Sequence, residues 1–294
     1  MRPMDERDAL AARFEEHRSR LRGVAYRMLG SLAEADDAVQ ETWLRFSGAD
    51  SSQVDNLGAW LTTIVGRVSL NMLRSRNQRR EDPIGAHVPD FILASPDADP
   101  EQDAVLADSI SIALLIVLET LNPTERLAFV LHDLFAMPFE EIGPIVGRNP
   151  AAARQLASRA RRRVQGASSH TPDAGLAEQR RVVEAFTAAA RGGDLTALIE
   201  VLDPDVVVRT DWGPGKPGTI LRGRDAVAQG AMEFSRLGAH NVDAIINGAP
   251  AAVAMLDGKP ISIAVFNVAG GKIAGLDILA DPERIAALDL TVLD

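Results

Sequence analysis

Two helix boundaries lie within four residues of each other at Gly147 to Pro150, and a helix-turn-helix satisfies both. Phe139 to Arg163 reads as two short helices around a tight turn. Pro138 precedes the first, and Glu140 and Glu141 sit in its first turn, where the helix dipole favours negative charge. Ile142, Ile145 and Val146 give it an apolar side. Gly147 permits the reversal that ends it. Asn149 caps the next helix, and Pro150 takes its first position, where a missing N–H costs nothing. Arg148, Arg154, Arg159, Arg161, Arg162 and Arg163 follow, and no acidic residue occurs from Ile142 to Pro172. An arginine-rich second helix in this motif is the geometry that reads DNA in the major groove. The competing reading is a solvated basic helix on a bundle.

At 294 residues the chain exceeds what one core usually organises, so two or three domains are expected. It has no cysteine, which removes disulfides, thiolate chemistry and cysteine-based zinc fingers. No run approaches a membrane span, and the N-terminal MRPMDERDAL is too charged for a signal peptide, so a cytoplasmic protein is expected. A net charge of −10 looks wrong for a DNA binder, but distribution matters more than the sum. Up to Ala167 there are 20 basic and 24 acidic residues, with the arginines gathered in patches and the acids elsewhere. Patches of both signs imply one anionic and one cationic partner.

Leu10, Phe14, Leu21, Val24 and Met28 mark a first helix, stopped by Gly30. Ser31 and Glu34 form a capping box for a second, with Ala35, Val39, Thr42, Trp43 and Phe46 inward and Glu34, Asp37, Gln40, Glu41 and Arg45 outward. A third amphipathic helix starts at Leu57 and ends in Arg67, Arg74, Arg76, Arg79 and Arg80, with no acid between Leu57 and Arg80. Arginines interleaved with Asn71, Ser75, Asn77 and Gln78 suit phosphate and base contacts. Trp60 is either a base-stacking group or core. Glu81 to Asp103 is an acidic, proline-rich linker carrying a short apolar island, Val88 and Phe91 to Leu93. Helices are expected over Val105 to Leu121 and Thr124 to Phe135, broken by Asn122-Pro123. After a second linker, helices give way to strands. Asp257-Gly258 and Gly270-Gly271 turn the last three strands into an antiparallel meander, which predicts an α+β domain.

EADDAVQETWLRF (Glu34 to Phe46) and GAWLTTIVGRVSLNMLRSR (Gly58 to Arg76) resemble region 2 of extracytoplasmic-function (ECF) RNA polymerase sigma factors. LNPTERLAFVLHDLFAMPFEEIGPIVGRNPAAARQLASRARRRV (Leu121 to Val164) resembles region 4. AFTAAARGGDLTALIEVLDPDVVVRTD (Ala185 to Asp211) is similar to SnoaL-like domains of the nuclear-transport-factor-two-like fold, and the combination resembles the SigJ type. The resemblance implies two all-α domains followed by an α+β cone. Its boundaries would be region 2 over 5–80, an acidic linker over 81–104, region 4 over 105–166, a linker over 167–175 and a regulatory domain over 176–294. It also implies promoter DNA and core RNA polymerase, through the β′ and β subunits, as partners. Glu34, Asp37, Gln40, Glu41 and Arg45 would meet polymerase. Asp55, Asn56, Trp60, Arg67, Asn71, Arg74 and Arg76 would read and melt the minus-ten element. Arg148, Asn149 and Arg154 would approach base edges at minus thirty-five, with Arg159 and Arg162 on phosphates. No catalytic residue, metal or cofactor is implied, since polymerase supplies the chemistry.

The family's glycine-rich loop appears here as Asp211-Trp212-Gly213-Pro214-Gly215-Lys216, and its late motif as Asp281-Pro282-Glu283. Asp211, Gly213, Gly215 and Lys216 are therefore expected to form a regulatory loop, in intramolecular contact with the sigma domains or their linker. Asp211, His240 and Asp243 are acid–base candidates for a catalytic cone, but no paired spacing singles them out. A small-molecule ligand there has no support from the residues. The alternative function is a ligand-sensing helix-turn-helix regulator, which has no use for the region from Glu34 to Arg76.

Overall fold

The computed structural model describes residues 4–49, 54, 56–79, 87–93, 110–167 and 175–293, which fall into two units. Asp55, Arg80, most of the acidic linker (81–86 and 94–109) and the second linker (168–174) lie outside the described residues.

The first unit is all α. Helix α1 (Met4–Leu29) stops at Gly30, whose φ of 74° needs no Cβ clearance. Ser31 caps α2 (Leu32–Gly48), accepting the Glu34 N–H at 3.5 Å. Asn56 caps α3 (Leu57–Arg79), its Oδ1 accepting the Ala59 N–H at 3.0 Å. Phe14, Leu21, Val24, Val39, Phe46, Leu61 and Val65 fill the space between these helices. The later helices of this unit are α5 (Pro123–Phe129), α6 (Phe139–Val146) and α7 (Pro150–Ala167). Helix α4 (Ile112–Glu119) divides between the two units. Asn122, expected only to break the helix with Pro123, also caps α5. The expected helix to Phe135 changes pitch: Val130–Leu134 is a π turn, which displaces Phe135 and leads to Ala136 at a φ of 54°. Gly66 of α3 lies against Leu127, Leu131 and Ile145, so the first three helices share a core with the helices around the turn.

The second unit is α+β, as expected. Helices α8 (Leu176–Gly192), α9 (Leu195–Val201) and α10 (Arg224–Ser235) cover one face of a six-stranded sheet ordered β2-β1-β6-β5-β4-β3. The strands are β1 (Leu202–Asp211), β2 (Thr219–Arg222), β3 (His240–Ile246), β4 (Ala249–Leu256), β5 (Lys259–Ala269) and β6 (Lys272–Leu279). Val183, Phe186, Leu198 and Val227 pack with Val206, Val208, Phe266, Val268 and Leu276 in the core beneath the helices. Strands β3 to β6 form the expected meander, with a third glycine turn at Asn247-Gly248. The sheet is nevertheless mixed. Strand β1 runs parallel to β6, and the short β2, not anticipated, pairs antiparallel at the edge. Helix α11 (Pro282–Ala286) follows β6.

Candidate nucleic-acid interface

Helix α7 divides its residues by a helical period. Ala153, Ala157 and Ala160 are buried, and their small side chains let the backbone lie close to its neighbours. Arg154, Arg159 and Arg162 are exposed, as are Arg148 and Asn149 in the turn. Arg161 and Arg163 point back: Arg161 Nε donates to Asp133 at 2.9 Å, and Arg163 donates to the buried Glu125 at 2.9 Å. Two of six arginines therefore fasten the helix, and four are left for a ligand. Asn149 has a structural duty as well, since its Oδ1 accepts the Ala152 N–H at 2.8 Å as the cap. Arg154 places its guanidinium 5.3 Å from the centre of the Phe139 ring. His132 of the π turn stacks on the same ring at 3.9 Å, with Nδ1 3.0 Å from the Met137 carbonyl.

Helix α3 exposes Arg67, Asn71 and Arg74 at spacings of four and three, a single stripe. Arg67 also donates to the Pro144 carbonyl at 3.2 Å. Arg76 is not on this stripe. It pairs with Glu34 of α2 and reaches the Leu29 carbonyl at 3.4 Å, so one expected DNA contact and one expected polymerase contact neutralise each other. Trp60 is half-buried, 5.8 Å edge-on from Phe46, in a cluster with Trp43 and Phe14; its ring serves the core. Asp55 lies outside the described residues, and the side chain of its neighbour Asn56 is used as the cap of α3.

On α2, Asp37 and Gln40 are exposed, and Glu41 holds Arg45 at 2.8 Å across one turn. Leu44 lies among them, 58% exposed. The apolar stripe of α2 passes it by, and a leucine off the stripe was the signal for it in the sequence.

The π turn is gripped by α1. Arg20 donates to the Phe135 carbonyl at 3.3 Å, and the Arg20 and Arg27 guanidinium groups lie 5.6 and 5.2 Å from its ring. Arg126 is fully buried, donating to the Arg27 carbonyl at 3.1 Å, and burial lowers its pKa to about 10. A cleft of about 360 Å³ opens here between His17, Arg20, Asn56, Phe135, Met137 and Glu141.

In the second unit, the glycine loop and the late motif meet around the linker. Asp211 Oδ2 accepts the Val88 N–H at 3.0 Å and Arg284 at 2.8 Å, and lies 3.0 Å from His87 Nδ1. Asp211 Oδ1 accepts the Gly213 N–H at 2.9 Å. Burial would raise this carboxyl's pKa, but the hydrogen bonds from His87, Val88 and Gly213 outweigh it and hold the group well below the usual carboxylate range. The other nitrogen of the Arg284 fork donates to the Val88 carbonyl at 2.8 Å and to Asp90 at 2.9 Å. Gly213, at a φ of 86°, is indispensable, because a Cβ would lie 2.5 Å from Asp281 Oδ2. Gly215 is also left-handed, at 77°, and Lys216 is exposed. Further along the linker, Asn247 Oδ1 accepts the Ile92 N–H and the Asn247 N–H donates to the Ile92 carbonyl, both at 3.0 Å. Leu93 bridges to Ile246 antiparallel, and Asn247 Nδ2 donates to the Ile110 carbonyl at 3.4 Å.

His240 and Asp243 are exposed on β3, at the opposite edge of the strand order from Asp211 on β1 and its partner β2, so the three acid–base candidates do not converge. Sequence reading missed the Arg209–Asp277 pair, 3.2 Å apart on adjacent strands. Burial raises the Asp277 pKa to about 6 against the opposing pull of Arg209. Among the described residues, no group of three or more His, Asp or Glu side chains is placed to hold a metal ion, and no helix is long and apolar enough to cross a membrane.

Comparison with known proteins follows this division. Residues 13–80 match the family described as Sigma-70 region 2, and residues 112–164 match Sigma-70, region 4. The ECF RNA polymerase sigma factor SigJ of Mycobacterium tuberculosis strain H37Rv is 37% identical, covering 94% of this chain and 93% of that protein. A probable ECF RNA polymerase sigma factor, SigI, of M. tuberculosis strain CDC 1551 is 34% identical, over 97% of this chain and 98% of that one. The crystal structure of M. tuberculosis SigJ superposes with a TM-score of 0.75 at 34% identity, covering 96% of this chain and all of the other.

Proposed function

From the premise that this chain belongs to the ECF RNA polymerase sigma factors, which bind core RNA polymerase and direct transcription initiation at promoters, we propose how its parts divide that work. The exposed α3 stripe of Arg67, Asn71 and Arg74 takes the minus-ten element, and Asp55 and Asn56, which precede α3 in sequence, join it in base reading. Arg148, Asn149 and Arg154 approach base edges at minus thirty-five, and Arg159 and Arg162 take phosphates. Asp37, Gln40 and Leu44 of α2 meet polymerase. Glu34, Glu41 and Arg45 act there, and Arg76 at the minus-ten DNA, only after exchanging their present ion-pair partners.

The C-terminal domain sets how readily this machinery engages. The observation that carries the reading is the clamp of Asp211 and Arg284 on the linker backbone at Val88. A charge-assisted, partly buried set of bonds to a main chain holds position more firmly than exposed ion pairs do. The acidic domain thus controls the segment that joins the two DNA-reading regions. A ligand-sensing regulator without polymerase is disfavoured by the matched region 2.

The test is run-off transcription with purified core polymerase, comparing the full chain, chains truncated after Gly166 and near Asp211, and Asp211→Asn. Truncation and Asp211→Asn are expected to change promoter output in the same direction, with the second change smaller. Identical output and identical polymerase affinity across all four proteins would remove the regulatory reading. Absence of any promoter-directed product from the full chain and both truncations would remove the promoter assignment.

A further inference from the structure

We infer that Phe139 is a positioning residue for promoter reading: its ring, packed against His132, steadies the Arg154 guanidinium for one guanine of the minus-thirty-five element. This rests on the reading that α7 lies in the major groove.

The order of the groups makes the case. Phe139 is the first residue of α6 and is almost fully buried, so its ring is fixed by the fold and not by DNA. The His132 ring lies 3.9 Å from it, tilted by 30°. The His132 ring is itself held, because Nδ1–H donates to the Met137 carbonyl at 3.0 Å. Arg154, on the exposed side of α7, brings its guanidinium carbon to 5.3 Å from the Phe139 centre. Three segments thus converge on one ring: the π turn, the first helix of the motif and the second.

An arginine held over an aromatic ring loses part of the freedom of its long side chain before DNA arrives and keeps N–H groups available to a base. A fork in a set plane matches guanine O6 and N7 in the major groove and no other base edge equally well. Arg159 and Arg162 have no such backing among the described residues, which suits groups that follow a phosphate instead of a base. A ring holding Arg154 would therefore affect which sequence is chosen more than how tightly DNA is held.

The experiment uses the full chain reconstituted with core polymerase and a double-stranded promoter library randomised over the minus-thirty-five hexamer, with run-off products sequenced. Wild type, Arg154→Ala, Phe139→Leu and Phe139→Tyr are compared. Arg154→Ala is expected to erase a guanine preference at one position, worth roughly tenfold or more in wild type. Phe139→Leu is expected to weaken that same preference roughly two- to fivefold and leave the other positions alone. Phe139→Tyr keeps the ring and is expected to retain the preference. If Arg154→Ala alters no position, the major-groove reading of Arg154 fails. If Arg154→Ala relaxes a position that Phe139→Leu leaves intact, or if Phe139→Leu lowers output uniformly, the positioning role fails while the reading stands.

Discussion

Gly143 and Gly147 both serve the helix-turn-helix, but for different physical reasons. Gly147 sits in the left-handed region at a φ of 70° with open space around it, so alanine there meets only backbone strain, about 1 kcal/mol. Gly143 has ordinary helical geometry, yet a Cβ would lie 2.8 Å from the Arg148 carbonyl oxygen, an atom that cannot move without opening the turn. Gly143→Ala is expected to cost about 2–3 kcal/mol, more than Gly147→Ala. Urea unfolding of the two variants checks the order, and the reverse order would contradict the account. Only Gly147 was legible in the sequence; the close approach at Gly143 depends on how the turn folds back.

Asp277 supplies a second residue-scale prediction. Its folded pKa of about 6 exceeds the ordinary carboxyl value, so the folded state binds the proton more tightly than the unfolded chain does. Stability is therefore highest below about pH 4 for this group and falls as pH rises through 6. The change is on the order of 3 kcal/mol at about 1.4 kcal/mol per unit. Asp211 works in the opposite sense but far lower on the scale, so the two do not overlap. Hydrogen exchange of β5 and β6 amides should quicken from pH 4.5 to 7 beyond the intrinsic rate, and Asp277→Asn should flatten that trend. A trend unchanged by Asp277→Asn would refute the assignment.

At the scale of elements, local chemistry marked its own boundaries well. Gly30, Ser31, Asn122-Pro123, Gly147, Asn149-Pro150 and the glycine hairpins all stop or start what their side chains suggest. What escaped was either unpunctuated or non-local. The π turn at Val130–Leu134 contains no glycine or proline, and Phe135 at its end packs against Arg20 and Arg27 of a helix distant in the chain, a contact no local pattern announces. Strand β2 has only four residues and owes its existence to pairing with β1. The parallel partnership of β1 and β6 joins residues about seventy positions apart, which no period of two reveals. The site divides in the same way. The exposed arginines of α7 followed from helical phase. The withdrawal of Arg76 by Glu34, and the meeting of Asp211 with Arg284 over Val88, follow only from tertiary contacts.

For the molecule as a whole, regions 2 and 4 share one core, and that core cannot serve both promoter elements at once. A folded unit of about 130 residues has a radius of gyration of roughly 14 Å. Two elements about 25 base pairs apart stand roughly 85 Å apart on B-DNA at about 3.4 Å per pair. The contact of Gly66 with Leu127, Leu131 and Ile145, and that of Arg67 with Pro144, must therefore open when both elements are engaged. The absence of native cysteine makes this directly measurable. Spin labels on Ser75→Cys and Ser158→Cys, both exposed, should move apart by tens of ångströms when core polymerase and promoter DNA are added. An unchanged separation in a transcribing complex would show that the closed unit is the working form.

Asn247 has a consequence for reach. It binds Ile92 through both backbone groups and Ile110 through its amide, so one side chain joins two points eighteen residues apart along the chain. Asp211 and Arg284 at Val88 and the Leu93–Ile246 bridge are further fastenings on the same linker, so loss of the asparagine alone leaves it held. Reach between two distant DNA sites is then governed by a set of bonds that must give way together, as a latch with several bolts does.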